Sequence, residues 1–493
     1  MSGTFNPQMD ESTSDRISIG VPGINEILNG GLIPSRSYLV RGNPGTGKTI
    51  LGLHYLTTGT TQDETSLYIN LEETTADIKQ NAASLDFDLE AVHFLDLSPK
   101  SEFFAADKSY DLFESGEVER DPMIKEITEK VTELEPDRVF VDPLTQLRYL
   151  ATDDYQFRKQ TLSFMRLLSE QGATVLFTTQ ATSSEPDIDL QFMSDGTIEL
   201  EYTSNSRTIA VPKLRGSATR SGKHALKITD EGLVAYPKLM PGQAESEFVP
   251  GSVSSGIPEL DALLEGGLTR GTATVISGPT GVGKTTTGTQ LMKEAAGRGE
   301  RSVIYLFEET VSTFKHRSEA INIPVAQMIE QGTLSVKEVE SLRTSPQEFA
   351  QDVRHEVEEN GTDIVMIDGI VGYKHSLKGD EENLVTDLHA LVRYLKNGGV
   401  TVLLIDEVAN IISDFQATND NISYLADNII FLRHLEVQGQ MRKVIGVLKM
   451  RTSDFERTIR EFAITEHGIT VGEPRTDLQG ILSGTPEQIN SGE

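Results

Sequence analysis

The strongest constraint on this fold is a glycine-rich octapeptide that occurs twice. It reads Gly42-Asn43-Pro44-Gly45-Thr46-Gly47-Lys48-Thr49 and again Gly278-Pro279-Thr280-Gly281-Val282-Gly283-Lys284-Thr285, an offset of 236 residues (278 minus 42). The first copy follows the apolar run Ser37-Tyr38-Leu39-Val40 and leads into Ile50 to Leu56, a run able to continue as a helix. Strand, glycine loop and helix in that order form a phosphate-binding P-loop. Glycine lets backbone N–H groups converge on phosphate oxygens, and the helix N-terminus adds a favourable dipole. In such loops the lysine reaches the terminal phosphates and the threonine offers a hydroxyl to Mg²⁺. Lys48 and Lys284, with Thr49 and Thr285, are therefore expected to hold Mg-ATP together with the other residues of the two loops.

The repeat extends well beyond the loops. Gly20-Val21-Pro22-Gly23 and the residues up to Leu32 have a near-copy from Val253 to Leu268. Downstream, the strand-like runs Ser66–Leu71 and Ser302–Phe307 lead to Glu72-Glu73 and Glu308-Glu309, again 236 apart (308 minus 72). Side chains alternate across a strand, so one carboxylate of each pair should face the nucleotide as a base or water-positioning group and the other should make a structural contact. Further apolar runs end in Asp142 and Asp368, which read as Walker B aspartates supporting Mg²⁺. More strands follow at Ala173–Thr179 and Val400–Ile405. Lys213-Leu214-Arg215 and Lys449-Met450-Arg451 close each repeat and, by their recurrence, suggest an anion-facing role.

Strands alternating with helical runs predict an α/β chain of two tandem P-loop domains, each a largely parallel sheet flanked by helices. Ligands should gather at the strands' carboxyl ends. The expected organisation is a polar tail over 1–15, domains over 16–245 and 246–482, and a short tail over 483–493. A turn at Met240-Pro241-Gly242 and the acidic Glu245 and Glu247 mark the linker. A trans peptide is expected at Asp142-Pro143.

Composition narrows the function. No apolar run approaches the roughly 18 residues of a membrane span, and the polar N-terminus lacks a signal pattern, so a cytoplasmic location without membrane contact is expected. The absence of cysteine removes thiolate metal sites, and the nine histidines form no ligand-like cluster. His54 and His93 are read as structural. A net charge of −31 argues against non-specific attraction to nucleic acid.

Together the two P-loops, the Gly20–Gly23 motif, the glutamate pairs and the Lys-x-Arg segments resemble the KaiC family, a two-domain branch of the RecA-like ATPases, across nearly the whole chain. The resemblance implies a homohexamer of two stacked rings with ATP between neighbouring subunits. Glu72 and Glu308 would be the foremost catalytic carboxylates, Glu73 and Glu309 completing the pairs. Lys213, Arg215, Lys449 and Arg451 would approach the γ-phosphate from the adjacent protomer. The N-terminal half would be chiefly an ATPase and the C-terminal half also an autokinase.

Two departures qualify this. Where clock members carry adjacent Ser and Thr acceptors, this chain has Ser423-Tyr424, which favours Ser423 and argues against a two-site cycle. The sequence also stops at Glu493, whereas clock members continue into a longer tail bound by KaiA, so a KaiA-independent homologue is expected, with a KaiB-like partner still open. The alternatives are a RecA- or DnaB-like nucleic-acid-dependent ATPase and a nucleotide-responsive scaffold without kinase activity.

Overall fold

The structure is a computed structural model that describes residues 16–101, 120–151, 153–179, 187–203, 206–243, 251–340, 343–376, 381–408, 422–437, 439–476, 478–479 and 487–488. The expected tail over 1–15, Glu245, Glu247 and, of the expected tail over 483–493, residues 483–486 and 489–493 lie outside these. The chain forms two compact units that divide between Lys238 and Leu239.

In the first unit the strands are β1 (Ser37–Arg41), β2 (Ser66–Asn70), β3 (His93–Asp96), β4 (Arg138–Asp142), β5 (Thr174–Thr179), β6 (Gly196–Tyr202), β7 (Arg207–Leu214), β8 (His224–Thr229) and β9 (Gly232–Tyr236). They make one sheet in the order β3-β2-β4-β5-β1-β6-β7-β8-β9. Pairing is parallel from β3 to β6 and antiparallel from β6 to β9.

The second unit opens with a small ladder of β10 (Ser252–Val253) and β11 (Leu268–Thr269). In the first unit the same place holds a single bridge, Ile17 to Leu32. Its main strands are β12 (Ala273–Gly278), β13 (Ser302–Leu306), β14 (Leu334–Glu338), β15 (Ile364–Asp368), β16 (Thr401–Glu407), β17 (Asn428–Val437), β18 (Gln440–Met450), β19 (Arg460–Thr465) and β20 (Gly468–Pro474). Their order, β14-β13-β15-β16-β12-β17-β18-β19-β20, repeats the first sheet position for position.

Each sheet separates two apolar layers, because strand side chains alternate and helices cover both faces. In β4, Phe140 packs with Tyr38, Leu51 and Tyr55, while Val139 and Val141 join Leu39, Leu67 and Phe157. In β15, Ile364 and Met366 enter one layer and Val365 and Ile367 the other. Such strands have no polar face, which explains their uninterrupted apolar runs.

The P-loop strand is central in both sheets. The helices that follow, Lys48–Thr60 and Lys284–Gly297, are longer than the run read from sequence and begin at the lysine itself, after Gly47 (φ 107°) and Gly283 (φ 117°) in left-handed conformation. One expectation is corrected: Asp142-Pro143 is cis, an isomer that proline's small trans preference makes accessible.

Two candidate nucleotide sites

Each P-loop turns over the carboxyl end of its central strand, and its shape depends on the first glycine. A Cβ on Gly42 would stand 2.3 Å from the Leu200 carbonyl oxygen, and one on Gly278 would stand 2.3 Å from that of Leu432. Lys48 Nζ donates to the carbonyls of Gly42 (2.7 Å) and Asn43 (3.2 Å), and Lys284 Nζ to that of Pro279 (2.9 Å). Burial lowers the pKa of both lysines; Asp142 and Glu72 counter this at Lys48, and Glu407, Asp368 and Glu308 at Lys284.

The Walker B aspartates meet the P-loop threonines. Asp142 accepts from Thr49 Oγ1 at 2.7 Å and Asp368 from Thr285 Oγ1 at 2.9 Å. Their surroundings differ. Asp142 also accepts from the Tyr68 hydroxyl (3.1 Å) and from Thr178 Oγ1. The matching strand positions of the second unit hold Ile304 and Ile405, since Val40 pairs with Thr178 and Ile276 with Ile405. With fewer hydroxyl donors, burial pushes the Asp368 carboxyl up to about 6. Tyr68 and Thr178 were missed from sequence; their signal is a hydroxyl inside an otherwise apolar run.

The glutamate pairs sit just past the strands, which end at Asn70 and Leu306, so a turn rather than strand alternation orients them. In the second unit the pair divides. Glu308 Oε1 accepts from the Gly372 backbone N–H at 3.2 Å. Glu309 is gripped by Arg317, whose Nε lies 3.2 and 3.0 Å from its two oxygens and whose Nη2 adds a third contact. In the first unit, the Glu73 carboxylate meets the Asn81 amide at 3.5 Å, and burial together with Asp142 and Glu72 raises its pKa. Glu72 lies within electrostatic reach of Lys48.

The second P-loop is also braced from its own sheet. Lys443 Nζ donates to the Gly281 carbonyl at 2.9 Å, and Thr280 Oγ1 donates to Glu407 at 2.5 Å. His434, paired with Lys443 in the ladder, is held below its usual pKa by burial and then by Lys443. These residues lie far from the loop in sequence and only register brings them to it.

The Lys-x-Arg segments do not join their own P-loops. Tyr38 pairs with Gly196 and Gly196 with Leu214, which puts Lys213 and Arg215 at the amino end of the central strand. Tyr38 precedes Gly42 by four residues, about 13 Å of strand. Lys213 Nζ donates to the carbonyls of Gln191 (2.7 Å) and Ser194 (2.6 Å), and Arg215 pairs with Asp195 at 3.6 Å. The second unit repeats this: Lys449 Nζ donates to the carbonyls of Ser423 (3.1 Å) and Ala426 (2.6 Å), and Arg451 pairs with Asp427 at 3.7 Å. Burial and the neighbouring arginine lower both lysines' pKa. Ser423, in the short 3-10 helix Ile422–Tyr424, thus lies beside Lys449 and away from its own P-loop; Tyr424 is exposed, its ring edge-on to His389.

Thr49 and Asp142, and likewise Thr285 and Asp368, present a hydroxyl and a carboxylate as a Mg²⁺ site requires, beside loops whose first glycines, Gly42 and Gly278, leave no room for a side chain. The donor set fits a magnesium nucleotide.

Sheet order, P-loop position and Walker B geometry define a protein of two tandem RecA-like P-loop ATPase domains. The family model described as "ATPase: KaiC" matches residues 17–240 and again 253–476. The chain belongs to the KaiC family of ATPases and, as a member, binds ATP. It is 27% identical to the circadian clock protein KaiC3 of Synechocystis sp., covering 97% of this chain and 96% of that protein. It is 25% identical to the circadian clock oscillator protein KaiC of Acaryochloris marina, covering 96% of this chain and 92% of that protein. The corresponding protein of Synechococcus elongatus is 26% identical over 95% of this chain and 91% of its own length. Among the described residues, no helix is long and apolar enough to cross a membrane.

Proposed function

We propose that this chain is a KaiC-like, Mg-ATP-hydrolysing homohexameric switch or timer of the cytoplasm, with a serine autokinase activity in its C-terminal domain. The observation that carries the reading is the position of Lys213, Arg215, Lys449 and Arg451 at the end of each central strand opposite its P-loop. A protomer that presents a P-loop on one side and paired cations on the other completes its sites only with a neighbour, and a closed ring satisfies every protomer.

In each site Lys48 or Lys284 holds the terminal phosphates, and Thr49 with Asp142, or Thr285 with Asp368, holds the metal. Bound Mg²⁺ would neutralise developing phosphate charge. Glu72 and Glu308 orient the attacking water and take its proton. Lys213 with Arg215, and Lys449 with Arg451, stabilise the transferring phosphoryl group in the adjoining subunit. For the kinase reaction the Ser423 hydroxyl replaces water: its oxygen bonds the γ-phosphorus of the neighbour's ATP, the bond to the β-phosphate oxygen breaks, ADP leaves and Glu308 of the partner subunit takes the proton. Domains over 16–245 and 246–482 divide the work, with phosphoryl transfer to protein in the second. A KaiB-like protein is a candidate reader of nucleotide state, and the strongly acidic charge disfavours nucleic acid as partner.

The test is incubation of purified protein with Mg²⁺ and γ-labelled ATP, following released phosphate and protein-bound label. Label on Ser423 that disappears with Glu308→Gln supports the autokinase. Phosphate release without protein label removes the kinase and leaves the ATPase switch. ATP-promoted assembly without turnover leaves a scaffold.

A further inference from the structure

The two glutamate pairs are built on matching local structures that differ at one partner. Helix Thr75–Ala83 is capped by the Thr74 side chain and helix Val311–Glu319 by that of Thr310. The residue eight positions after the second glutamate turns back to meet it in both units. In the first unit it is Asn81, a neutral amide at 3.5 Å. In the second it is Arg317, an ion pair using both carboxylate oxygens, with its guanidinium 5.2 Å from the centre of the Phe314 ring.

We propose that Arg317 is a positioning residue of the C-terminal ATP site: by clamping Glu309 to helix Val311–Glu319 it leaves Glu308 the single carboxylate of that pair available for chemistry, whereas the N-terminal site keeps both Glu72 and Glu73. This rests on the assignment of Glu308 as the proton acceptor. The two-oxygen grip of a planar guanidinium fixes both the direction and the charge of a carboxylate, which one long amide contact does not.

The space left for Glu308 agrees with this division. A Cβ on Gly369 would come within 2.9 Å of Glu308 Oε1 and one on Gly372, in helix Ile370–Ser376, within 2.9 Å of its Cγ, so the backbone after β15 is kept clear for this side chain. Its carboxylate rests on the Gly372 N–H and shares the site with Lys284, Asp368, Glu407 and Asp406, the charges that act on that lysine. Glu309, just before helix Val311–Glu319, and Arg317, on that helix, both act on Asp368, as Glu308 does, and Arg317 carries the positive charge that offsets Glu309. Releasing Glu309 would leave its negative charge uncompensated in a site that already holds Glu308, Asp368, Glu407 and Asp406, and like charge disfavours ionised carboxylates.

The experiment uses the full chain carrying both Glu72→Gln and Glu73→Gln, so that turnover reports the C-terminal site, and measures phosphate release from Mg-ATP between about pH 5 and about pH 9. Adding Glu308→Gln should lower kcat at least about a hundredfold, and Glu309→Gln less than about tenfold. Arg317→Asn should move the acid limb of the pH profile upward by about one unit, with Arg317→Lys giving a smaller shift. The reciprocal Asn81→Arg, placed in a Glu308→Gln chain, should lower the acid limb of the N-terminal site. Arg317→Asn and Asn81→Arg profiles that both coincide with those of their parents overturn the clamp, as do equal losses with Glu308→Gln and Glu309→Gln. Undiminished turnover with Glu308→Gln instead overturns the assignment of the proton acceptor, on which the clamp depends.

Discussion

At Arg138 the first unit stakes much of its stability on one buried cation. The side chain is fully buried, pairs with Glu64, and donates to the carbonyls of Ser18 (2.7 Å) and Tyr55 (2.9 Å) and to Gln62 (2.9 Å). Its counterpart in the second unit is Ile364, and there the matching Glu300 takes Arg270 and Arg298 instead. Removing the cation strands the buried Tyr55 carbonyl and takes the partner from Glu64, which is partly exposed. Arg138→Met should therefore destabilise the first unit by about 3–5 kcal/mol in urea unfolding, and adding Glu64→Leu should recover a substantial part, following the apolar solution at Ile364. No recovery would mean that the carbonyls of Ser18 and Tyr55, rather than Glu64, set the cost. His54 gives a pH prediction. Its Nε2 accepts from the Leu233 N–H at 2.8 Å, and burial lowers its pKa from 6.5 to about 4. The unfolded chain binds the proton more readily, so this contribution is complete above about pH 7 and is lost as pH falls from about 6.5 towards about 4. Its ceiling of about 3 kcal/mol is reduced by solvent screening to about 1–2 kcal/mol. His54→Gln, the residue type at the matching position Gln290, should flatten that part of the pH dependence of the urea midpoint; an unchanged slope would exonerate His54.

Between helix and sheet, close approach is set by a glycine on each P-loop helix. A Cβ on Gly52 would stand 2.1 Å from Phe140 Cζ, and one on Gly288 would stand 2.5 Å from Met366 Sδ. In a helix, glycine to alanine gains about 1 kcal/mol of propensity, so available space decides the sign. The rigid ring cannot yield, and Gly52→Ala should cost about 1–3 kcal/mol net. The flexible thioether can, and Gly288→Ala should fall within about 1 kcal/mol of the parent; denaturant midpoints of the two variants check the order. Elements of this kind were the part of the molecule most legible in the sequence. Glycine and lysine spacing is local, so the P-loops were visible, and buried parallel strands carry uninterrupted apolar runs such as Val139 to Val141. The contacts of Arg317, Thr178, Tyr68 and Lys443 were not legible. Each depends on a partner brought near by strand register or by a helix folding back, and the same residue types are commonplace on surfaces. The ends of β2 and β13 were read too long, because Glu72 and Glu308 follow apolar runs without a turn residue to mark the break.

Across the whole molecule, the sheet directions decide whether a site can be complete within one chain. The cations Lys213 and Arg215 lie at the amino end of β1 and the P-loop at its carboxyl end, so a five-residue strand stands between them. If the cations act within their own protomer, a chain lacking Lys48 and a chain lacking Lys213 are each inactive at the first site, and a mixture of the two remains inactive. If they act on a neighbour, mixing makes new sites. In a randomly mixed ring at equal concentrations, half the P-loops are intact, and half of those face a protomer whose cations are intact. Lys48→Ala and Lys213→Ala, both in a Glu308→Gln background that silences the second site, should each lose nearly all phosphate release. Co-assembled from dissociated protomers, they should recover about one quarter of the parent rate. The recovery should depend on the mixing ratio with a maximum near equality, a dependence that residual activity of either variant does not produce. A rate equal to the sum of the separate variants at every ratio would return the cations to a structural role, holding the carbonyls of Gln191 and Ser194 at the foot of the sheet.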